Sequence, residues 1–367
     1  MSTPFHVAYP DFLSLDSVQS LRHGSERMAA ALRDVIARAG AVPLPGRGAT
    51  LARWRILGAV AGADLALAKL VEPHWDAIAI LEDCFPGGYA AAAVAADADE
   101  DAVWAVWAAE PPEARLLGIR KTSLSGAREG VRTTEVQLTG RKAWCSGAHV
   151  ITHALVTYWN DDGQACLAAV RTNVPGIVVT DEGWHAVGMQ GSASVEVLFE
   201  NTSGIEVGVP GAYLERPGFW HGGMGIAACW MGASVALARA VHAALRRRND
   251  PHALAHLGAI DAALSAAQAF VRETAAWVDD HPHEDAWRAA MRLRLAVEAC
   301  ADAVIVHAGR ALGASPLCRD AHIARLFADL PIFLRQSHAE RDLAALGKTL
   351  TALPPDPVKA GETLWTL

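Results

Sequence analysis

The cysteines are the first side chains in this sequence whose type and spacing are compatible with metal, redox or nucleophilic chemistry. No two of them form a CxxC pair and their spacing is irregular. A zinc site or a disulfide framework would show a regular pattern, so the sequence predicts neither. The simplest interpretation is buried, reduced thiols in a reducing compartment. The six residues are Cys84, Cys145, Cys166, Cys229, Cys300 and Cys318.

Two histidines are candidates for proton transfer. The imidazole ring titrates near neutral pH, so it can act as an acid or a base under physiological conditions. His338 lies in a polar stretch at residues 335–341, and His221 directly precedes Gly222 and Gly223 at a predicted helix start. Each also has a structural interpretation, in which His338 faces solvent and His221 caps or packs against the helix.

Composition limits the classes of partner. The chain has 367 residues, and a prior of roughly 150 residues per domain predicts two or three domains. Hydrophobic residues make up 52% and charged residues 20%, which favours a large core and excludes global disorder. The net charge of −8 argues against nucleic acid as a partner, since phosphate binding needs a basic face.

The sequence shows no targeting segment. Residues 1–16 contain no basic stretch followed by an apolar one, so they do not form a secretory signal. The alanine-rich segments are interrupted by Arg, Asp or His before they reach the roughly 20 apolar residues of a membrane span. We therefore expect a cytoplasmic protein without a membrane partner.

The hydrophobic pattern changes twice along the chain. Apolar residues recur at helical spacing up to about Asp99, and again from Gly222 onward. Short β-branched runs fill the middle, at 131–138, 154–159, 176–180 and 194–199. Strands so close together, without helices between them, favour an antiparallel sheet. The pattern predicts a mainly α protein with a central antiparallel β domain: N-terminal helices at 1–100, β domain at 101–215, and a C-terminal four-helix bundle at 216–367.

Four stretches of sequence together resemble the acyl-CoA dehydrogenase superfamily. The strongest is LTGRKAWCSGA at 138–148, which is similar to a hairpin in the family's middle domain. The others are WAVWAAEP at 104–111, GMQGSASV at 188–195 after Trp184, and AGRALG at 308–313 followed by Arg319 and Asp320. Their order and spacing match the family in the middle and C-terminal zones.

The resemblance implies FAD, with FMN as the alternative, held between the β domain and the bundle. Trp144 corresponds to the tryptophan beside the flavin ring, and Ser146 to the hydroxyl that bonds the ring near its reactive nitrogen. Arg247 corresponds to an arginine that reaches the flavin pyrophosphate across a subunit interface, which implies a homodimer or homotetramer. Gly309 and Gly313 belong to the glycine-rich turn of the bundle. The structural alternatives are a core tryptophan at 144 and a solvated cation at 247.

The chain departs from the family at the catalytic base. Anchoring Arg341 on the family's arginine places Leu334 where the glutamate is expected, and the second known position holds His221 with two glycines. Leucine cannot accept a proton, so His338 and His221 are the nearest titratable substitutes. The loop at 109–115 also lacks the family's threonine and Gly-Ser pair, and the phosphate-binding turn keeps one glycine, Gly309.

Three functions follow from this resemblance. The first is an FAD-dependent oxidoreductase acting on an acyl substrate linked to CoA or a carrier, with a possible electron-transfer partner. The second is a flavin monooxygenase, because that branch resembles the dehydrogenases but often keeps a C-terminal histidine instead of the glutamate. The third is a non-catalytic scaffold that has lost flavin binding, which the eroded phosphate turn favours.

Overall fold

The N-terminal part of the chain is helical. The computed structural model describes residues 25–121, 127–128, 131–246 and 248–352. Its first four helices are α1 (Ser25–Ala39), α2 (Thr50–Ala63), α3 (Leu65–Cys84) and α4 (Gly88–Ala96). The sequence predicts one helix through Leu51 and Leu67, but the structure breaks it at Asp64, whose side chain accepts a hydrogen bond from the Leu67 N–H at 2.9 Å. This N-cap starts α3.

Helix α3 continues through Pro73, which sits in its interior. A proline has no N–H to donate to the carbonyl four residues earlier, here that of Lys69. Fourteen of the twenty residues in α3 are buried, and the helix packs against α2, α4 and the first strand of the β region. Tertiary packing therefore stabilises a helix whose own sequence contains a breaker.

The middle of the chain forms a closed β-barrel. The strands are β1 (Trp104–Trp107), β2 (Leu116–Arg120), β3 (Ala127–Arg128), β4 (Val131–Arg132), β5 (Glu135–Cys145), β6 (His153–Trp159), β7 (Ala165–Arg171), β8 (Ile177–Val179) and β9 (Val195–Glu206). Strand β6 pairs with β2 along one edge and with β7 along the other, and the ring continues through β9 and β5 back to β2. Strand β1 also pairs with β6, and β8 pairs with β9.

The antiparallel prediction holds for most of these pairings but is wrong for two. Strand β6 lies parallel to β1, in the register Trp104↔His153, and parallel to β2 at Leu117↔Trp159. The cause is topological: β1 and β2 pair with successive parts of one edge of β6, and β6 reaches them only after the chain has passed through β5. A parallel pair requires such a crossover, which local sequence does not reveal.

The C-terminal part is again helical. Its long helices agree with the predicted stretches, and Pro331 lies inside one of them, which ends three residues later at Leu334. Ala339, with φ +46°, then starts the last helix. The helices are α5 (Ala212–Glu215), α6 (Gly218–Gly223), α7 (Gly225–Leu245), α8 (Pro251–Asp280), α9 (Trp287–Leu312), α10 (Ala314–Arg319), α11 (Ala321–Leu334) and α12 (Glu340–Thr351).

One buried core passes through all three zones. It joins Leu57 of α2, Val156 of β6 and Leu237 of α7. The domain boundaries at 100 and 215 therefore remain a prediction. Among the described residues, two helical stretches, Gly218–Leu245 and α8, are long and apolar enough by length and composition alone to cross a membrane. Their most apolar windows are 67% and 22% buried within the protein.

Helices α2 and α7 cross at two glycines. A Cβ added to Gly232 would lie only 2.0 Å from the Gly58 carbonyl oxygen, which is backbone and cannot move aside cheaply. We expect Gly232→Ala to destabilise the fold by roughly 1–3 kcal/mol, the usual cost of overpacking. Thermal unfolding checks this. Gly258→Ala on α8 is the matched control, because its Cβ would meet open space and alanine is the better helix former; an equal loss in both variants would contradict the close crossing.

Candidate active site between the barrel and the helical bundle

A cavity of about 720 Å³ opens where the barrel, α3 and the C-terminal helices meet. Such a volume is within the roughly 300–1,000 Å³ typical of small-molecule sites. The barrel contributes Trp144 and Ser146 to its wall, and α3 contributes Lys69 and Glu72. The bundle side contributes, among others, Trp220, Met291, Arg294, Phe333, Gln336 and His338.

Trp144 presents its indole to this cavity instead of to the barrel core. The side chain is 55% exposed, and its backbone has φ +55°, which is uncommon for a residue with a Cβ. The pairing of β5 with β9 shifts register between Lys142 and Cys145, and a bulge of this kind re-aims a side chain. The prediction that Trp144 lines a cleft is therefore supported, and the core-tryptophan alternative is not.

Lys142 fixes the strand just before this bulge. Its side chain is fully buried, and its ammonium group donates to the Thr157 carbonyl at 2.9 Å and hydroxyl at 2.6 Å. It also pairs with Glu110 at 3.3 Å, and the other Glu110 oxygen accepts a hydrogen bond from the Trp159 indole at 2.9 Å. Burial lowers the pKa of Lys142. Glu110 thus serves as a half-buried partner of two barrel side chains.

Three serine hydroxyls line the cavity beside Trp144. Ser146 and Ser194 are 2.8 Å apart, and Ser194 and Ser192 are 3.0 Å apart, between hydroxyl oxygens. Ser192 also donates to the Met189 carbonyl at 2.8 Å. All three serines are buried. A hydroxyl is both donor and acceptor, so this row can rearrange its protons to satisfy a polar ligand. The sequence singled out Ser146 alone.

Helix α3 brings three charged side chains to the cavity wall. Lys69, Glu72 and Asp76 recur at spacings of three and four, which places them on one face of α3, and all three line the cavity. Burial, reinforced by the nearby Asp76, raises the pKa of Glu72 to about 7. Burial also raises the pKa of Asp76, whose Oδ1 has no hydrogen-bond partner among the described residues.

Arg294 of α9 completes this charged wall. Its guanidinium donates to the carbonyls of Gly223 at 2.9 Å and Gln336 at 3.0 Å, and it lies 5.2 Å from the Trp230 ring centroid. Burial lowers its pKa. Neither Arg294 nor the acidic pair on α3 is predicted from the sequence. The available signal was three charges on one face of an apolar helix, which binary patterning flags as unusual.

The two candidate histidines lie in different surroundings. His338 lines the cavity near its rim, with a side chain 59% exposed and its Nδ1 3.4 Å from Asp342. His221 does not line the cavity; it is 2% exposed and its ring packs against the loop at Gly46. Burial lowers the pKa of His221, and its Nε2 has no hydrogen-bond partner among the described residues. Leu334 is fully buried and contributes no side chain to the cavity wall.

The residues predicted to hold the flavin phosphates lie elsewhere. Gly309 is inside α9, where an added Cβ would make an ordinary contact with Phe327 at 3.5 Å. Gly313 ends that helix with φ +69° and faces open space. Neither glycine lines the cavity. Arg247 lies outside the described residues. These three assignments remain predictions.

The described part of the chain contains no cluster of side chains that could bind a metal ion. Among residues 25–121, 127–128, 131–246 and 248–352, no group of three or more His, Cys, Asp or Glu side chains is positioned to hold an ion. All six cysteines are free thiols, and burial raises the pKa of Cys145, Cys229 and Cys300. Such thiols are inert toward nucleophilic chemistry.

Comparison with known proteins identifies the fold. No protein-family model and no curated protein matches this sequence. Among solved structures, KijD3 in complex with FMN and dTDP-3-amino-2,3,6-trideoxy-4-keto-3-methyl-D-glucose has a TM-score of 0.73 and 19% identity, covering 92% of this chain and 89% of that one. The dibenzothiophene monooxygenase TdsC from Paenibacillus sp. A11-2 has a TM-score of 0.69 and 17% identity, covering 94% and 98%.

A third similar structure is XiaF from Streptomyces sp. in complex with FADH2 and glycerol, with a TM-score of 0.67 and 17% identity, covering 94% of this chain and 92% of that one. These neighbours share the acyl-CoA dehydrogenase-like fold. At such identities the likeness shows the fold alone. The acyl-CoA dehydrogenase-type fold predicted from the sequence, mostly helical with a β-barrel region, is therefore confirmed.

Proposed function

We propose that the cavity binds a flavin and that this acyl-CoA dehydrogenase-like chain is a flavin-dependent oxidoreductase acting on a small molecule. The observation that supports this best is Trp144, whose indole is held at the wall of a large cavity by an unfavourable backbone conformation. Strained residues persist only where the surroundings over-determine them, and they cluster at functional sites. KijD3 and XiaF, which share the fold, were crystallised with FMN and FADH2 respectively.

The residues present fit such a group. The Trp144 indole offers a flat surface for a ring system, and Ser146 and Ser194 offer hydroxyls beside it. Asp76 and Gln336, which also line the cavity, each have a buried oxygen without a partner among the described residues. When bound, a flavin supplies two-electron redox chemistry, while the protein orients it and excludes water. FAD and FMN both remain open, because the glycines predicted for the phosphates do not reach this cavity.

Two reactions are compatible with the site. Oxidation of an acyl thioester needs a general base close to the α-carbon, and Leu334 cannot provide it. Oxygenation with reduced flavin and O₂ does not need that glutamate, and the aromatic walls at Trp184, Phe219 and Trp220 would exclude water from the ring. We therefore favour a monooxygenase acting on a small molecule, with acyl thioester oxidation as the second candidate.

The assembly, the location and the redox partner of the protein are also proposals. We propose a homodimer or homotetramer in the cytoplasm. An electron-transfer partner would be required for acyl thioester oxidation, and a source of reduced flavin for oxygenation. A flavin-free scaffold is the outcome if no flavin binds.

Titration of the purified protein with FMN and with FAD, each oxidised and then reduced under anaerobic conditions, tests the proposal. We expect saturable quenching of flavin fluorescence by at least one of them. Bleaching of bound oxidised flavin by butyryl-CoA would identify the acyl thioester reaction. Oxygen uptake that requires prior reduction and is then coupled to product from an added small molecule would identify oxygenation. No saturable binding of either flavin in either state would overturn the proposed function.

A further inference from the structure

Glu72 is a buried carboxylate that faces the cavity without a bonded partner, a condition that Asp76, one helical turn further along α3, shares at its Oδ1. It is only 7% exposed, yet it lines the cavity and has no hydrogen-bond or ion-pair partner among the described residues. Buried carboxylates are normally paired or hydrogen-bonded, because an isolated buried charge is costly. By comparison, Asp329 accepts from the Met189 N–H, and Glu298 pairs with Arg335 at 2.8 Å.

The neighbouring Lys69 is equally without a hydrogen bond. Its ammonium group lines the cavity, and its described contact is with the Phe333 ring, whose centroid is 6.0 Å away. A cation and a carboxylate three residues apart on one helix face, both lining the same cavity, form a polar subsite for a ligand with complementary charge or hydrogen-bonding groups. Arg294 lies in the same wall.

We infer from this geometry that Glu72 is the proton acceptor of the active site, in place of the carboxylate missing at Leu334. The acyl thioester reaction, ranked second above because Leu334 is not a base, would then also have a proton acceptor. The inference rests on the proposed function, since it places the substrate in the same cavity as the flavin. The substrate class is a small molecule with an acidic C–H or O–H, such as a phenol or a carbon acid beside a carbonyl. Its conjugate anion would be stabilised by the ammonium of Lys69 and the guanidinium of Arg294.

The proton balance is simple. The substrate C–H or O–H bond breaks, its electron pair stays on the substrate, and the proton forms an O–H bond on Glu72. Glu72 becomes neutral and the substrate becomes an anion, so the net charge of the cavity does not change. A base must be ionised to act, and burial together with Asp76 raises the pKa of Glu72 to about 7. Proton removal should therefore increase as the pH rises through neutrality.

Several charged groups face Glu72 and set this dependence. Lys69, Arg53 and Arg294 each lower its pKa, whereas Asp76 raises it. The groups facing it from the packed elements are Lys69 and Asp76 of α3, Arg53 of α2, Cys229 of α7, Arg294 of α9, and Tyr213 of α5. Asp76→Asn removes the repulsion, so it should move the rise in activity to lower pH.

The test uses 5-nitrobenzisoxazole, a flat neutral probe, because the natural substrate is unidentified. Its ring opens when a base removes one C–H proton, the N–O bond breaks, and the electron pair remains on oxygen as a coloured phenolate. No redox step occurs, so the assay works with and without flavin. We expect wild-type protein to accelerate this reaction with a rise near neutral pH, and Glu72→Gln to reduce the rate at least about 100-fold, the lower bound for positioned general bases.

Three variants make the result specific. Glu206→Gln is the matched control, since the Glu206 side chain is also 7% exposed but bonds Arg120 and Tyr158 in the barrel; its rate should not change. Glu72→Asp retracts the carboxylate by one methylene and should retain part of the rate. His338→Ala tests the competing base. Circular dichroism and flavin binding are measured on every variant.

The outcomes separate the two proposals. Loss of the rate in Glu72→Gln with flavin binding intact supports Glu72. If Glu72→Gln keeps the wild-type rate and pH profile, the inference is wrong. If His338→Ala instead loses the rate, the inference is also wrong, and in both cases the proposed function is unaffected. Normal probe chemistry in a protein that binds neither FMN nor FAD would support the base while contradicting the flavin proposal.

Discussion

Replacing Trp144 with alanine is expected to weaken flavin binding by roughly 5- to 100-fold. Stacking of a flat heterocycle on an aromatic side chain is worth about 1–3 kcal/mol in alanine substitutions, and a tenfold change in affinity corresponds to about 1.4 kcal/mol. The indole is already 55% exposed to the cavity, so its removal leaves no void in the core. The loss should therefore appear in the flavin dissociation constant and not in the melting temperature.

Fluorescence titration with FMN and FAD measures this effect. Trp144→Phe should retain most of the affinity because it keeps an aromatic face. Trp277→Ala is the matched control: this half-buried tryptophan of α8 stacks on His281 with ring centroids 4.8 Å apart, away from the cavity. If Trp144→Ala binds flavin as tightly as wild type, the ring does not lie against the indole, and the cofactor assignment at this wall is wrong.

The sequence predicts those site residues that belong to local motifs. Trp144, Ser146 and His338 all line one cavity, although they come from a barrel strand, the turn that follows it and the segment after α11. Each of them is placed by aligning the order of its surrounding sequence stretch with the order of motifs in the family it resembles. Glu72 has no such motif around it, and only the packing of α3 against the barrel and bundle turns its face toward the cavity.

The fold was predictable to the same extent. Alternating β-branched runs predict the cores of β5, β6 and β9, but not β7, whose sequence ACLAAVR is rich in alanine and buried on both faces. A strand covered on both sides shows no alternation between apolar and polar residues. The parallel pairing of β1 with β6 joins residues about 50 positions apart, so hydrophobic periodicity within a short window does not reveal it.

The charged face of α3 connects stability with function. Replacing one member of a buried charge cluster usually destabilises a protein, because the remaining charge loses its partner. Glu72 makes no direct ion pair among the described residues, and its burial outweighs the attraction of Lys69, Arg53 and Arg294, so its ionised form is unfavourable in the folded state. A buried, unpaired carboxylate lowers the stability of the folded protein, but its raised pKa suits a general base that acts near neutral pH.

Glu72→Gln is accordingly expected to raise the free energy of unfolding at neutral and alkaline pH, and to leave it unchanged at acidic pH. Folding raises the pKa of Glu72 from 4.5 to about 7, so between these values the native state binds more protons than the unfolded state. Stability therefore falls as the pH rises through this window and stays reduced above it. Removing the carboxyl should restore at most about 3 kcal/mol near pH 8, and nothing near pH 4.

Urea unfolding of wild type and Glu72→Gln across this pH range measures the difference. Glu206→Gln provides the contrast, since it removes the negative charge that pairs with Arg120 and one of the oxygens that accept from Arg120 and Tyr158, and it should be less stable than wild type near neutrality. A Glu72→Gln protein that gains stability while losing proton transfer combines two effects that a structural carboxylate would not produce together. Equal unfolding free energies of wild type and Glu72→Gln near pH 8 would mean that Glu72 is ionised there without cost, which contradicts its poised state.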